Sequence, residues 1–145
     1  MTKKINMAHK IVTEWQSGMH FVADTAGGKV ILDADEAVGG KGLGKRPKPL
    51  MLVALAGCTG MDVASLLKKM RVSDVEFKIE VSGELTDEHP KIYHTVKVDY
   101  FFSGDGVEEF KDKIEKSVSL SVDRYCGVFE MFRQFADVSH EIKYV

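Results

Sequence analysis

The feature that most constrains this chain is one long apolar segment, which predicts a helix over residues 50–70. Pro47 and Pro49 precede it, and prolines are favoured at the first turn of a helix. Apolar residues wrap most of its first half, a pattern typical of a helix buried on nearly all sides. Gly57 and Gly60 lie inside it at a cost of about 1 kcal/mol each relative to Ala, which is tolerated where another element approaches closely. We therefore expect a buried, tightly crossed central helix.

The remaining patterns predict strands and helices in separate groups. The early chain predicts three short strands, and the middle predicts two long alternating strands joined by a turn at 86–90. A loop rich in glycine and cations separates the early strands from the central helix, and a second helix begins after Asp105, whose carboxylate is predicted to cap it. A short helical piece carries Cys126, and a last strand ends the chain. The predicted strands are 10–14, 20–23, 29–32, 75–85, 93–102 and 141–145, and the loop is 38–49. This grouping is typical of an α+β fold, in one domain over residues 1–145.

Composition excludes several classes of function. The 145 residues carry a formal net charge of −2 and a pI of about 6.2, which gives no positive surface for nucleic acid or an anionic membrane. The cationic first residues are not followed by the apolar stretch of a signal peptide, and the longest uncharged apolar run, 49–61, is too short to span a bilayer. We expect a cytoplasmic protein that binds neither nucleic acid nor membrane.

Two cysteines are the main candidates for chemistry. Cys58 and Cys126 lack the spacing of a zinc finger, and the histidines are scattered, so no metal site is expected. In a reducing compartment the pair is either inert core or redox-active. Cys58 lies between two glycines, which leave its sulfur less crowded, and cations at 45–48 precede its helix. Asp62, four residues further on, would raise the pKa of a nearby thiol.

Cys126 stands at the start of the short helical piece. A helix N-terminus and the neighbouring Arg124 would favour its thiolate, although a packing role is equally compatible with the sequence. A second thiol matters because a sulfenic acid formed on one cysteine can condense with the other to a disulfide.

Several stretches together resemble the OsmC/Ohr family of hydroperoxide reductases. They are residues 49–63 (PLMLVALAGCTGMDV), the glycine-rich segment before them, the hairpin from Gly83 to His89-Pro90, and residues 120–126 (LSVDRYC). Within the family, the sequence is most similar to the branch with Gly-Cys-Thr in the central helix. The resemblance implies an intertwined homodimer in which antiparallel sheets enclose two long central helices. It places each active site at the subunit interface.

The resemblance also implies an activity in the antioxidant stress response. Cys58 would attack an organic hydroperoxide, Cys126 would resolve the sulfenic acid as a disulfide, and a dithiol would reduce that disulfide, without a cofactor. Peroxidase members carry a Glu where this chain has Lys48, and OsmC-type members carry an Arg near Val38. Arg46, Lys48 and Arg124 are therefore the candidates for supporting the thiolate or binding substrate. The alternative is a non-enzymatic stress protein that binds a small apolar ligand at the dimer interface.

Overall fold

A computed structural model describes residues 8–145 and divides the chain into two compact units. The first unit ends at Leu50 and the second begins at Met51. The prediction of a single domain over the whole chain stays a prediction.

The first unit contains a three-stranded antiparallel sheet with the strands in chain order. Its strands are β1 (Val12–Ser17), β2 (His20–Thr25) and β3 (Gly28–Leu32). Trp15 pairs with Phe21, and Phe21 pairs on its other side with Leu32. Gly18, with φ of 52°, supplies the left-handed residue of the first turn. The three predicted strands are confirmed, each with slightly different ends.

The glycine-rich loop folds around one buried carboxylate. Asp33 is 4% exposed and accepts hydrogen bonds from the backbone N–H groups of Ala34, Lys41 and Leu43, at 2.8, 3.3 and 3.2 Å. Burial acts to raise the pKa of Asp33, but these donors outweigh it and the pKa is lowered. The predicted loop is confirmed except at its end, because the long helix already begins at Pro47.

The long helix, α1 (Pro47–Lys69), has one buried stripe. Leu55, Thr59, Val63 and Leu67 follow one another at four-residue spacing and are all buried. Val53 and Met61, in contrast, are 63% and 76% exposed. The expected burial on nearly all sides is therefore wrong for the single chain, because the described residues cover only one face.

The two helix glycines differ in their surroundings. A Cβ on Gly60 would lie 3.2 Å from Cδ1 of Ile79, so this glycine permits the close approach that its position predicts. At Gly57, apart from its chain neighbours and the backbone of its own helix, no described atom comes within 4 Å of an added Cβ. Helix α1 is long and apolar enough to cross a membrane, but the buried core helix of a soluble protein can have the same length and composition.

The sheet of the second unit is mixed. The strands β4 (Glu76–Leu85) and β5 (Tyr93–Ser103) form the predicted antiparallel hairpin. The last strand, β6 (Asp137–Tyr144), runs parallel to β5. The expectation of antiparallel sheets is thus wrong for this pair. The reason is the connection: a parallel neighbour requires a crossover, here formed by α2 (Val107–Leu120), a π-helical turn (Ser121–Tyr125) and α3 (Gly127–Arg133).

The core of the second unit is built from β5, α1 and the crossover. Tyr100, Phe102, Ile114 and Phe129 are fully buried in one cluster with the stripe of α1. The predicted Asp105 cap of α2 is wrong. Gly106 occupies that position without a side-chain cap, because a Cβ there would lie 2.1 Å from the Ser73 carbonyl oxygen.

Candidate dithiol site

Two thiols and a carboxylate of the second unit lie close together. The sulfurs of Cys58 and Cys126 and a carboxylate oxygen of Asp62 all lie within 4.8 Å of one another. Both thiols are free. Cys58 and Asp62 lie one helical turn apart on α1 and are half-buried, whereas Cys126 is 4% exposed. The structure therefore brings together the two cysteines that the sequence singles out.

A chain of hydroxyl groups ends on the Asp62 carboxylate. Ser121 Oγ lies 3.1 Å from Asp62 Oδ2 and 2.7 Å from Thr59 Oγ1, which lies 2.6 Å from the Tyr100 hydroxyl. Each hydroxyl has one proton to donate, and an ionised carboxylate only accepts. Ser121 Oγ also lies 3.4 Å from the Thr59 carbonyl oxygen, a longer contact than the one to Asp62, so we assign the Ser121 proton to Asp62. With that assignment Thr59 donates to Ser121 and Tyr100 donates to Thr59. Burial raises the pKa of Tyr100 to about 12, which keeps this first donor protonated.

Cys126 is held at the junction of the π-helical turn and α3. Its backbone N–H closes the turn onto the Ser121 carbonyl oxygen at 2.8 Å, and its sulfur caps α3 by accepting the N–H of Phe129 at 3.3 Å. Burial raises the pKa of the Cys126 thiol to about 12; a hydrogen bond with Cys58 adds to this and the Phe129 N–H opposes it. The helix N-terminus does favour the thiolate through the Phe129 N–H, as expected, but burial outweighs this one donor and the net shift of the pKa is upward.

Of the three cations predicted to support the thiolate, only Arg124 belongs to the second unit, which holds both cysteines. Arg124 lines an open cavity of about 320 Å³ together with Cys126. Its guanidinium carbon lies 5.8 Å from the centre of the Tyr125 ring. Within residues 51–145, no lysine or arginine hydrogen-bonds to either sulfur or forms an ion pair with Asp62.

Arg46 and Lys48 belong to the first unit. The Arg46 guanidinium binds the carboxylate of Asp35, through Nε at 2.9 Å, and lines a largely apolar pocket of about 290 Å³ with Val38. Lys48 is exposed in the first turn of α1. The supporting role predicted for these two residues is not tested by the geometry of either unit.

Sequence reasoning missed the hydroxyl chain. Thr59 adjoins Cys58, but Tyr100 and Ser121 come from β5 and the π-helical turn, and no spacing rule links them. The available signal was the position of Thr59 on the buried stripe of α1, where a polar side chain requires a partner.

Fold and site together define a small α+β protein with a pair of adjacent thiols. The chain belongs to the OsmC-like protein family, whose model matches residues 40–141. Protein YhfA of Escherichia coli K12 is 27% identical over 135 residues, which cover 91% of this chain and 95% of YhfA. A hypothetical protein from Aquifex aeolicus is 30% identical with a TM-score of 0.77, over 97% of this chain and 99% of that one.

A more distant structural neighbour has the same fold. The organic hydroperoxide resistance protein OhrB of Bacillus subtilis is 18% identical with a TM-score of 0.60, over 92% of this chain and 96% of OhrB. The expected OsmC/Ohr fold and family are confirmed.

Proposed function

We propose that this protein is a thiol-dependent peroxidase that reduces organic hydroperoxides. The observation that carries the proposal is the pair of free thiols within 4.8 Å, one half-buried and one buried. Membership of the OsmC-like family and a structural neighbour named for organic hydroperoxide resistance support a peroxide-related role. The reaction is expected in the cytoplasm, as a response to oxidative stress.

Cys58 is the proposed peroxidatic residue because its sulfur is the more accessible one. Its thiolate attacks one peroxide oxygen, the O–O bond breaks, and the alkoxide takes up a proton to leave as an alcohol. Cys58 is then a sulfenic acid. The Cys126 sulfur displaces its hydroxyl group, which gives a Cys58–Cys126 disulfide and water. An external dithiol reduces the disulfide by two exchange steps and is itself oxidised.

Asp62 provides a route for the proton in the resolving step. The raised pKa of Cys126 means that it arrives as a thiol, so a base must take its proton as the disulfide forms. The Asp62 carboxylate lies within 4.8 Å of both sulfurs and can pass that proton to the departing hydroxide. Ser121 fixes the orientation of the carboxylate.

The test is one equivalent of cumene hydroperoxide with intact-mass and thiol analysis. Wild type is expected to lose two hydrogen atoms and both thiols. The Cys126→Ser variant should stop with one added oxygen atom on Cys58, and Cys58→Ser should keep its remaining thiol. Full turnover by Cys58→Ser, or unchanged thiols in wild type, would contradict the proposal. Asp87→Asn in the exposed β4–β5 turn serves as a control with wild-type behaviour.

We also infer that the working form is a homodimer in which a second copy covers the exposed face of α1. Val53 and Met61 are apolar residues on one face of α1 and are 63% and 76% exposed, and Gly57 between them leaves room for close approach. Val53→Asp is expected to give monomers by light scattering coupled to gel filtration. Lys116→Asp, at an exposed position of α2, should leave the dimer intact. A monomeric wild type would refute this inference.

One observation favours a second candidate function. Within residues 51–145 no lysine or arginine hydrogen-bonds to either thiol, so a non-enzymatic member that binds a small apolar ligand at the dimer interface is the alternative. It predicts inert thiols in the peroxide test and a ligand retained in native mass spectra. Such a result would favour ligand binding over peroxidase activity as the function.

A further inference from the structure

The three groups of the dithiol site also have the composition of a metal-binding site. Two sulfurs and a carboxylate oxygen are donors that Zn²⁺ accepts, whereas Mg²⁺ and Ca²⁺ require oxygen donors. Spacing along the chain predicts no metal site, because Cys58 and Cys126 lie far apart in the sequence. They become neighbours only through the crossover that places α3 beside α1. We propose that the reduced protein binds Zn²⁺ through the Cys58 and Cys126 sulfurs and a carboxylate oxygen of Asp62, with the fourth position open.

The spacing of the donors suits this ion. With Zn–S bonds of about 2.3 Å and Zn–O bonds of about 2.0 Å, tetrahedral geometry puts the sulfurs about 3.8 Å apart and each about 3.5 Å from the oxygen. The three atoms lie within 4.8 Å of one another, so closure around the ion requires each pair to approach by at most about 1.3 Å. Side-chain rotation about χ1 can supply movements of this size.

The charge balance also favours a divalent cation. Binding converts two thiols to thiolates and releases two protons to solvent, so the donors carry three negative charges. Within residues 51–145 no lysine or arginine pairs with Asp62 or either sulfur, and a divalent ion compensates most of that charge at the point where it accumulates.

The groups behind the donors are those that hold metal ligands in place. Ser121 donates to Oδ2 of Asp62 at 3.1 Å, and the hydrogen bonds from Tyr100 through Thr59 orient Ser121 in turn. Phe129 N–H donates to the Cys126 sulfur at 3.3 Å, an interaction that stabilises a metal-bound thiolate. The half-buried Cys58 and Asp62 leave the open position accessible.

One consequence separates this site from a structural zinc site. The same two sulfurs form either a disulfide or a metal site, never both. The reduced protein is therefore expected to bind Zn²⁺ and the oxidised protein to release it. The ion in turn protects both thiols from peroxide.

The test is competition for Zn²⁺ between the reduced protein and a chromophoric chelator, without peroxide, on the purified full chain. Wild type is expected to bind one Zn²⁺ per chain, and the diamide-oxidised protein none. Cys58→Ser and Cys126→Ser should each lose affinity by about 100-fold or more, and Ser121→Ala by about 10-fold. Asp62→Asn, which keeps an acceptor for Ser121, should also weaken binding, whereas Asp87→Asn should match wild type.

Cobalt substitution gives a readout that does not depend on the variants. Reduced wild type with Co²⁺ should show the intense near-ultraviolet absorption of thiolate ligation, and added Zn²⁺ should remove it. Mg²⁺ should not compete. Absence of this band, or equal Zn²⁺ affinity in wild type and both cysteine variants, would overturn the proposal. Because peroxide is absent, failure here leaves the peroxidase proposal untouched, and inert thiols in the peroxide test leave this one untouched.

Discussion

In the Cys58→Ser variant, the remaining thiol is expected to react with iodoacetamide about 30 to 60 times more slowly in native than in urea-unfolded protein. The structure raises the pKa of Cys126 from an ordinary 9.0 to about 12. At neutral pH this lowers the thiolate fraction about 1,000-fold. A more basic thiolate is also more nucleophilic, and a Brønsted coefficient of about 0.4–0.5 raises its reaction rate by about 15- to 30-fold over three pKa units. Steric burial slows the native reaction further, whereas loss of the Cys58 charge in this variant removes part of the pKa shift, so the two corrections act in opposite directions.

The assay is quenched alkylation followed by intact mass. Burial is the main cause of the raised pKa, and a serine hydroxyl at position 58 keeps the neighbouring hydrogen-bonding group, so most of the shift should persist in the variant. The native rate should continue to rise tenfold per pH unit above pH 9, where the unfolded rate levels off. The Cys126→Ser variant provides the comparison, since it reports the half-buried Cys58. Equal native and unfolded rates for Cys126 would refute the assignment of a buried, protonated resolving thiol.

Three further predictions concern stability. Thr59→Val removes a hydrogen-bonding partner from the buried hydroxyls of Tyr100 and Ser121, and should lower the free energy of unfolding in urea by about 1–3 kcal/mol. The control, Thr13→Val on the exposed β1, should change it by under about 0.5 kcal/mol. Similar values for the two variants would refute a stabilising role for the hydroxyl chain. Because the pKa values of Tyr100 and Cys126 are raised in the folded state, the unfolded chain loses these protons first, and stability should fall as pH rises from about 9 towards 12, less steeply in Cys126→Ser. Because folding lowers the pKa of Asp33, its ionised carboxylate stabilises the folded state above the ordinary carboxyl pKa, and this stabilisation is lost as pH falls through the pKa of the folded state. In Asp33→Asn the melting temperature should therefore fall less steeply as the pH is lowered into the acid range.

Local patterns predicted most elements of the fold. Alternation along 75–85 and 93–102 predicts β4 and β5 to within one residue at each end, because a half-buried strand must alternate. The direction of β6 could not be read in this way. Parallel and antiparallel neighbours have the same alternation, and only the crossover decides between them.

The site was predictable in its sulfurs and not in its environment. Two lone cysteines and the family resemblance identify Cys58 and Cys126, yet the raised pKa of Cys126 depends on burial by residues remote in sequence. A helix N-terminus and a nearby arginine predict the opposite shift. Burial outweighs them because an anion in a low-dielectric core loses more solvation than one N–H restores.

The crossover between β5 and β6 has a consequence for how the protein opens. Phe129 of α3 packs edge-on against His140 of β6, with ring centroids 6.4 Å apart, so Cys126 sits on a segment anchored by the last strand. Detachment of β6 would loosen α3 and expose the Cys126 thiol before the β4–β5 hairpin opens. Thiol labelling of Cys126 and amide exchange along β6 should then share one opening rate. A single buried sulfur would thus report the undocking of the C-terminal strand in a protein that is otherwise folded.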